Sequence, residues 1–195
     1  MELKDEQKIN ASRETVYAAL NDPEILQQCI PGCETLEKTS QTDMAATISL
    51  KIGPVKVKLK GTVELSNLNP PESYTITGEG KGGPAGFAKG GADIKLIEEI
   101  DGTLLQYTVT VNIGGKIAQL GTRLIDSTAR KLSAEFFEKF GELVTNSEDE
   151  SLGDQNKNAN TGAQTQKQNT SEKSKLWLYV GAVVIILAGY GFYIM

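Results

Sequence analysis

Two groups of residues in this chain have types and spacing that could do chemistry. The first is Cys29-Ile30-Pro31-Gly32-Cys33, which holds both cysteines of the 195-residue sequence. Paired thiolates bind metals or exchange electrons, but a structural zinc site takes four Cys or His ligands. There is no histidine and no third cysteine. A Cys-x-x-x-Cys pair also lacks the thioredoxin spacing. The leading reading is a corner, in which Pro31-Gly32 ends a helix and turns the chain into a strand with the cysteines as small apolar fillers; a redox role for Cys29 and Cys33 is the alternative. The second group is Gly78-x-Gly80-x-x-Gly83, which matches a dinucleotide fingerprint as text. That fingerprint works only where the loop opens a helix whose N-terminus holds a pyrophosphate. Here strand-like pattern stands on both sides, so the stretch reads as a wide, flexible hairpin, or alternatively as a gate over a cavity with Phe87 as its apolar tip. Without histidine there is no histidine triad, and the inward strand positions hold no acid/base pair. No catalytic residue and no metal ligand is therefore assigned, and the chain is not expected to be an enzyme.

The elements that would position these residues follow from periodicity. Residues 2–10 read as a strand. Ser12 and Asp22, the latter followed by Pro23, are N-cap residues for two short helices. Met44, Ala46, Ile48, Leu50 and Ile52 then alternate with polar partners. Gly53-Pro54 turns the chain, and Val55, Val57, Leu59, Gly61, Val63 and Leu65 alternate against Lys56, Lys58 and Lys60. A period of two with one apolar face predicts a half-buried antiparallel hairpin. Further strands are expected around Tyr74, Ile94 and Tyr107, with a turn at Asp101-Gly102. Helical spacing of Leu120, Leu124, Thr128, Leu132, Phe136 and Phe140 predicts one long amphipathic helix over about 117–143. The fold class is thus α+β: a curved antiparallel sheet of six to seven strands around a long C-terminal helix. One helix is about 10 Å across and cannot fill such a sheet, so an elongated apolar cavity is expected. Ile30, Phe87, Tyr107, Leu120, Leu124, Thr128 and Leu132 are its candidate lining, with the Tyr107 hydroxyl available to a ligand carbonyl. Lys56, Lys58 and Lys60 share an outward face. They read as a solvated stripe that discourages edge pairing, or as a docking stripe for an acidic partner or anionic headgroups.

The rest of the chain is different in kind. Residues 145–175 are almost wholly polar, and residues 176–195 carry no charge. Twenty such residues match the length needed to cross a hydrocarbon core of about 30 Å. Lys173 and Lys175 precede them, and Trp177, Tyr179, Tyr190 and Tyr193 mark their ends. The expected organisation is a ligand-binding domain at 1–144, a disordered polar linker at 145–175 and a single-pass anchor at 176–195. By the positive-inside rule the domain faces the cytoplasm of a cell membrane. A net charge of −5 gives no reason to expect nucleic acid.

Three stretches carry a family resemblance: Asp22–Glu37 (DPEILQQCIPGCETLE), Lys51–Leu65 (KIGPVKVKLKGTVEL) and Gly78–Leu96 (GEGKGGPAGFAKGGADIKL). Residues 1–144 resemble the helix-grip, START-like fold of lipid-transfer domains, and within it the G-subunit family of carbon monoxide dehydrogenase. The resemblance implies an accessory partner of molybdenum hydroxylase subunits that recruits the enzyme to the membrane and handles a lipophilic electron acceptor. No tightly bound cofactor is expected; the implied ligand is a membrane lipid or a quinone. A pure membrane tether and an assembly factor are the alternatives. The resemblance designates no individual binding residue.

Overall fold

The computed structural model describes the backbone of residues 2–153 and the side chains of residues 2–145. Seven strands form one antiparallel sheet: β1 (Glu2–Ile9), β2 (Cys33–Lys38), β3 (Asp43–Ile52), β4 (Val55–Asn69), β5 (Ser73–Lys81), β6 (Phe87–Glu99) and β7 (Gly102–Gly114). Their spatial order is β1-β7-β6-β5-β4-β3-β2. Strands β2 to β7 run as a meander, and β1 closes against β7. The chain therefore crosses from one sheet edge to the other between β1 and β2, and does so through α1 (Arg13–Ala19) and α2 (Pro23–Cys29).

Both short helices start as their caps dictate. Ser12 Oγ accepts from Thr15 N at 3.3 Å. Asp22 Oδ1 accepts from Glu24 N at 2.8 Å, with Pro23 in the first turn. Each cap satisfies a backbone N–H that has no partner within the helix. The fully buried Thr103 hydroxyl donates to Ala11 O at 2.8 Å, fixing the start of α1 to the start of β7.

The expected β3–β4 hairpin is present, with Ile52 opposite Val55 and Gly53 at φ +56°. Inward positions Met44, Ile48, Leu50, Val57 and Leu59 are buried; Lys56, Lys58 and Lys60 point outward and are exposed. The long helix differs from its expected frame. Residues 118–120 form a 3-10 turn that ends at Gly121, φ +86°, and α3 (Thr122–Gly153) begins only after it. A positive φ costs glycine nothing, so the helical frame restarts there. The buried stripe of α3 is Ala129, Ser133, Phe136, Phe137, Phe140 and Val144. The backbone of α3 lies closest to α2 and also approaches α1 and β3, and side chains bridge the space to the other strands. Past Val144 the helix enters the polar stretch. The remainder of that stretch and the uncharged segment at 176–195 lie outside the described residues. Among the described residues, no helix is long and apolar enough to cross a membrane.

Candidate functional site

The interior between sheet and α3 is almost free of polar groups, and its free space is small. One cavity of about 70 Å³ is lined by Phe136 and Phe137 of α3, by Leu20 and Leu26 at the short helices, and by sheet residues that include Met44, Val63, Tyr74 and Tyr107. A second, of about 40 Å³, lies toward the Gly53 end, between Ile125, Thr128, Ala129 and Leu132 of α3 and Leu50, Leu59 and Ile113. Neither approaches the ~300 Å³ at which sites for small molecules begin. The expected elongated cavity is thus largely occupied by the protein's own aromatic rings. Phe137 stacks on Tyr107 (centroids 5.8 Å, interplanar angle 19°), and Phe136 stacks on Phe140 at 5.6 Å. The two phenylalanines meet edge to face at 5.1 Å. These geometries sit inside the favoured range for aromatic pairs.

Of the residues singled out in the sequence, the structure brings three to these cavities. Tyr107 walls the larger one; Thr128 and Leu132 wall the smaller one. Thr128 gives its hydroxyl proton to Leu124 O at 2.9 Å, so the hydrogen-bonding capacity of that proton is used within the helix. Four do not line either cavity. Ile30 is buried at the C-cap of α2. Leu120 sits on the 3-10 turn, partly buried against the core. Leu124 packs over the β3–β4 turn, where a Cβ on Gly53 would lie 2.6 Å from its Cδ2. Phe87 is on the outer face: it pairs with Lys81 and Gly114, alternates with buried Ala88, and is 40 % exposed. The break at Gly121 explains Leu120, which lies before the frame that starts at 122; Leu124 is in the first turn of α3, where it meets the β3–β4 turn instead of the interior. The alternation of β6 explains Phe87. The residue the sequence reading missed is Phe137; its signal was the Phe136-Phe137 pair, of which only Phe136 fell on the assumed stripe.

The hairpin that carries Phe87 is also not free-standing. Its tip is a 3-10 turn, Gly83–Ala85, and Ala85 O accepts from Ile117 N at 3.0 Å. A Cβ on Gly86 would lie 2.0 Å from Gly114 O, so the tip is seated on the chain leaving β7. No α-helix follows Gly83, only the single 3-10 turn, so the structural requirement of the dinucleotide fingerprint is not met.

At the cysteine corner, α2 ends at Cys29 and β2 starts at Cys33. Gly32 between them has φ +74°, and a Cβ there would lie 2.1 Å from Ser49 O. Both thiols are free. Burial pushes the Cys29 thiol up to about 11, with Lys139 opposing. Burial and then the Glu34 carboxylate push Cys33 up as well. Protonated thiols are poor nucleophiles and poor ligands. Among the described residues no group of three or more Cys, Asp or Glu could hold a metal ion.

Outside the interior, an open groove of about 710 Å³ runs across the outer faces of β1, β7, β6 and β5. Its polar side chains already serve one another: Thr75 Oγ1 donates to Asp93 Oδ1 at 2.9 Å and Gln106 Nε2 to Glu6 Oε2 at 3.1 Å. Of the three lysines, Lys58 reaches Glu34 Oε2 at 2.6 Å, and that bond together with one from Ser49 holds the Glu34 carboxyl below its ordinary range. Pairing with β5 begins only at Lys60, so Lys56 and Lys58 stand where β4 overruns its neighbour.

A seven-stranded antiparallel sheet wrapped on one long C-terminal helix, with an apolar interior between them, defines a START-like helix-grip domain. The family model for the G subunit of carbon monoxide dehydrogenase (CoxG) matches residues 6–145. The chain belongs to this family. Among solved structures, a conserved protein from Geobacillus kaustophilus is similar at 31% identity and TM-score 0.71, over 75% of this chain and 97% of that one. A protein from Thermus thermophilus (19% identity, TM-score 0.58, 75% and 99% covered) and one from Nitrosomonas europaea (13%, 0.56, 76% and 97%) share the fold. No curated protein matches the chain.

Proposed function

We propose that this protein is a membrane-anchored accessory subunit of a molybdenum hydroxylase of the carbon monoxide dehydrogenase type. It recruits the enzyme to the cytoplasmic face of the membrane and takes a lipophilic molecule, a quinone, into its interior. The family supports the accessory role. The observation that supports the ligand is the character of the wall. Two apolar cavities lie along one helix, and the larger is bounded by rings that can turn about their side-chain bonds, whereas the backbone of α3 comes close to the sheet chiefly at β3. Uptake then requires Phe137 to leave its stack on Tyr107, which joins freed volume to the larger cavity. Binding needs no specific polar residue, because burying an apolar ring and tail contributes about 25 cal/mol per Å². The uncharged residues 176–195 support the anchor.

The test is native mass spectrometry and solvent extraction of the full chain purified from a quinone-producing host. A co-purifying quinone is expected; no lipophilic species, and no uptake of added quinone, rejects the carrier role. The closed state of the interior favours one second reading, a pure tether. Val63→Phe separates the two by filling the larger cavity from β4. A carrier loses support of the enzyme's quinone-dependent activity while still capturing the enzyme; a tether keeps both.

A further inference from the structure

We propose that the outer sheet face around Phe87 docks on an anionic lipid surface. The inference rests on the reading that the chain works beside a bilayer, and not on any ligand in the interior.

The protein carries net negative charge, yet a group of lysines gathers at one end of the sheet. At the end of the sheet that holds the β3–β4 and β5–β6 turns, the outward positions include Lys51, Lys56, Lys58, Lys60, Lys81 and Lys89, all exposed. Three carboxylates border this region: Glu34 pairs with Lys58, Glu79 pairs with Lys81 at 3.4 Å, and Glu37 lines a shallow groove with Lys60. Among the described residues, Lys51, Lys56 and Lys89 form no ion pair.

The register makes the arrangement costly to the free protein. Lys51 is directly opposite Lys56, and Lys60 directly opposite Lys81. Like charges in directly opposed positions destabilise a sheet. Protection of an open edge accounts for Lys56 and Lys58, which overrun β5. It does not account for Lys60 and Lys81, which pair with each other in the ladder. An external anionic surface relieves both repulsions at once.

Phe87 supplies the second component. It is in register with Lys81, so one row across the sheet reads Lys60, Lys81, Phe87, Gly114. The ring lies over Gly114, where a Cβ would be 2.3 Å from Phe87 Cε1. A side chain at 114 would displace it. The ring is thus held on the lysine face, 40 % exposed, instead of being buried. Lysines around an exposed aromatic ring form the pattern by which proteins lie in a membrane interface. The cations favour lipid over an acidic protein: all are lysines, compact point charges suited to diffuse headgroup attraction, with no arginine fork for bidentate carboxylate pairing.

The test places a reporter at the ring in the full chain. Phe87→Trp with Trp177→Phe leaves one tryptophan, and Asn112→Trp, at the exposed position paired with Lys89, is a second reporter should the first disturb the sheet. The chains are reconstituted into vesicles of phosphatidylcholine alone, or mixed with phosphatidylglycerol, containing lipid brominated near the headgroup. Quenching is expected in the phosphatidylglycerol vesicles. It should be weak in phosphatidylcholine and lost toward 1 M salt, where the screening length is about 3 Å. Each lysine lost should weaken the contact roughly fivefold, so Lys56→Glu, Lys60→Glu and Lys81→Glu together should weaken it more than a hundredfold. Equal quenching in both vesicle types, or none in either with both reporters, overturns the proposal. Lysine reversals that abolish capture of the enzyme while quenching was never present would assign the face to an acidic protein and overturn it likewise. A chain that carries quinone but shows no quenching refutes the docking alone.

Discussion

Replacing Phe137 with alanine tests whether the interior is a binding site that its own side chain occupies. Phe137 is 6% exposed, stacks on Tyr107 and walls the larger cavity. Removing a buried phenylalanine costs about 3–5 kcal/mol, from lost transfer energy and from the cavity left behind. For a domain of this size that lowers Tm by roughly 10 °C. The same substitution should strengthen ligand binding. In the wild-type chain a quinone must first move the ring out of its apolar site, which costs about 1.5–3 kcal/mol. The variant has no ring to move, so its affinity should rise roughly ten- to hundredfold. The assay is thermal unfolding of both chains against a short-tailed naphthoquinone. At a hundred times Kd, binding adds about 2.7 kcal/mol to stability. The variant should reach that gain at a much lower quinone concentration than wild type. A folded Phe137→Ala chain that gains no stability from the quinone refutes the reasoning, because it has the space and still does not bind.

Two further outcomes follow from the corner and its thiol. Gly32→Ala should destabilise the domain far more than Gly53→Ala. Both positions have positive φ, costing about 1–2 kcal/mol in a residue with a Cβ. The Cβ at 32, however, meets the backbone oxygen of Ser49 at 2.1 Å, whereas that at 53 meets only the movable end of Leu124. Urea midpoints of the two variants decide this, and equal losses would refute it. Cys29 should make stability fall on the alkaline side. Its thiol rises from 9.0 to about 11 on folding, so between those pH values the unfolded chain has released a proton that the folded chain retains. The stability that this contributes is complete below pH 9 and lost as pH rises toward 11, at most about 2–3 kcal/mol. Urea unfolding at both pH values should show a shallower decline in Cys29→Ala; an unchanged decline would mean that the thiol is not the source. Burial also raises Tyr17 and Tyr74, and their share of the decline should persist in the variant.

What was legible in the sequence was whatever a single strand or turn determines by itself. Met44 through Ile52 and Val57 through Leu65 alternate without interruption, so the faces of β3 and β4 follow from parity alone, and Gly53-Pro54 fixes their register. The Cys29–Cys33 corner was legible because a helix end, a glycine and a strand start are local events. Counting past a break was not reliable. Gly121 separates Leu120 from α3, and within α3 a stripe counted only in steps of four from Leu124 reaches Phe136 and Phe140 and passes over Phe137, because the buried face advances in steps of three as well as four. Cavity volume was not legible at all, since it depends on where the rings at 136 and 137 come to rest, a many-body packing outcome. Phe87 shows the opposite case: the information was present and went unused. Ala92, Ile94 and Leu96 point inward, so position 87, odd where they are even, must point outward in an unbroken strand. The same parity that removes Phe87 from the interior sets it beside Lys81 on the outer face. The interior thereby loses a proposed gate, and the outer face gains the one apolar group that its lysines lacked. A membrane-facing surface and a ligand-facing interior are then separate properties of opposite sides of one sheet, and a substitution on either side should leave the other's behaviour intact.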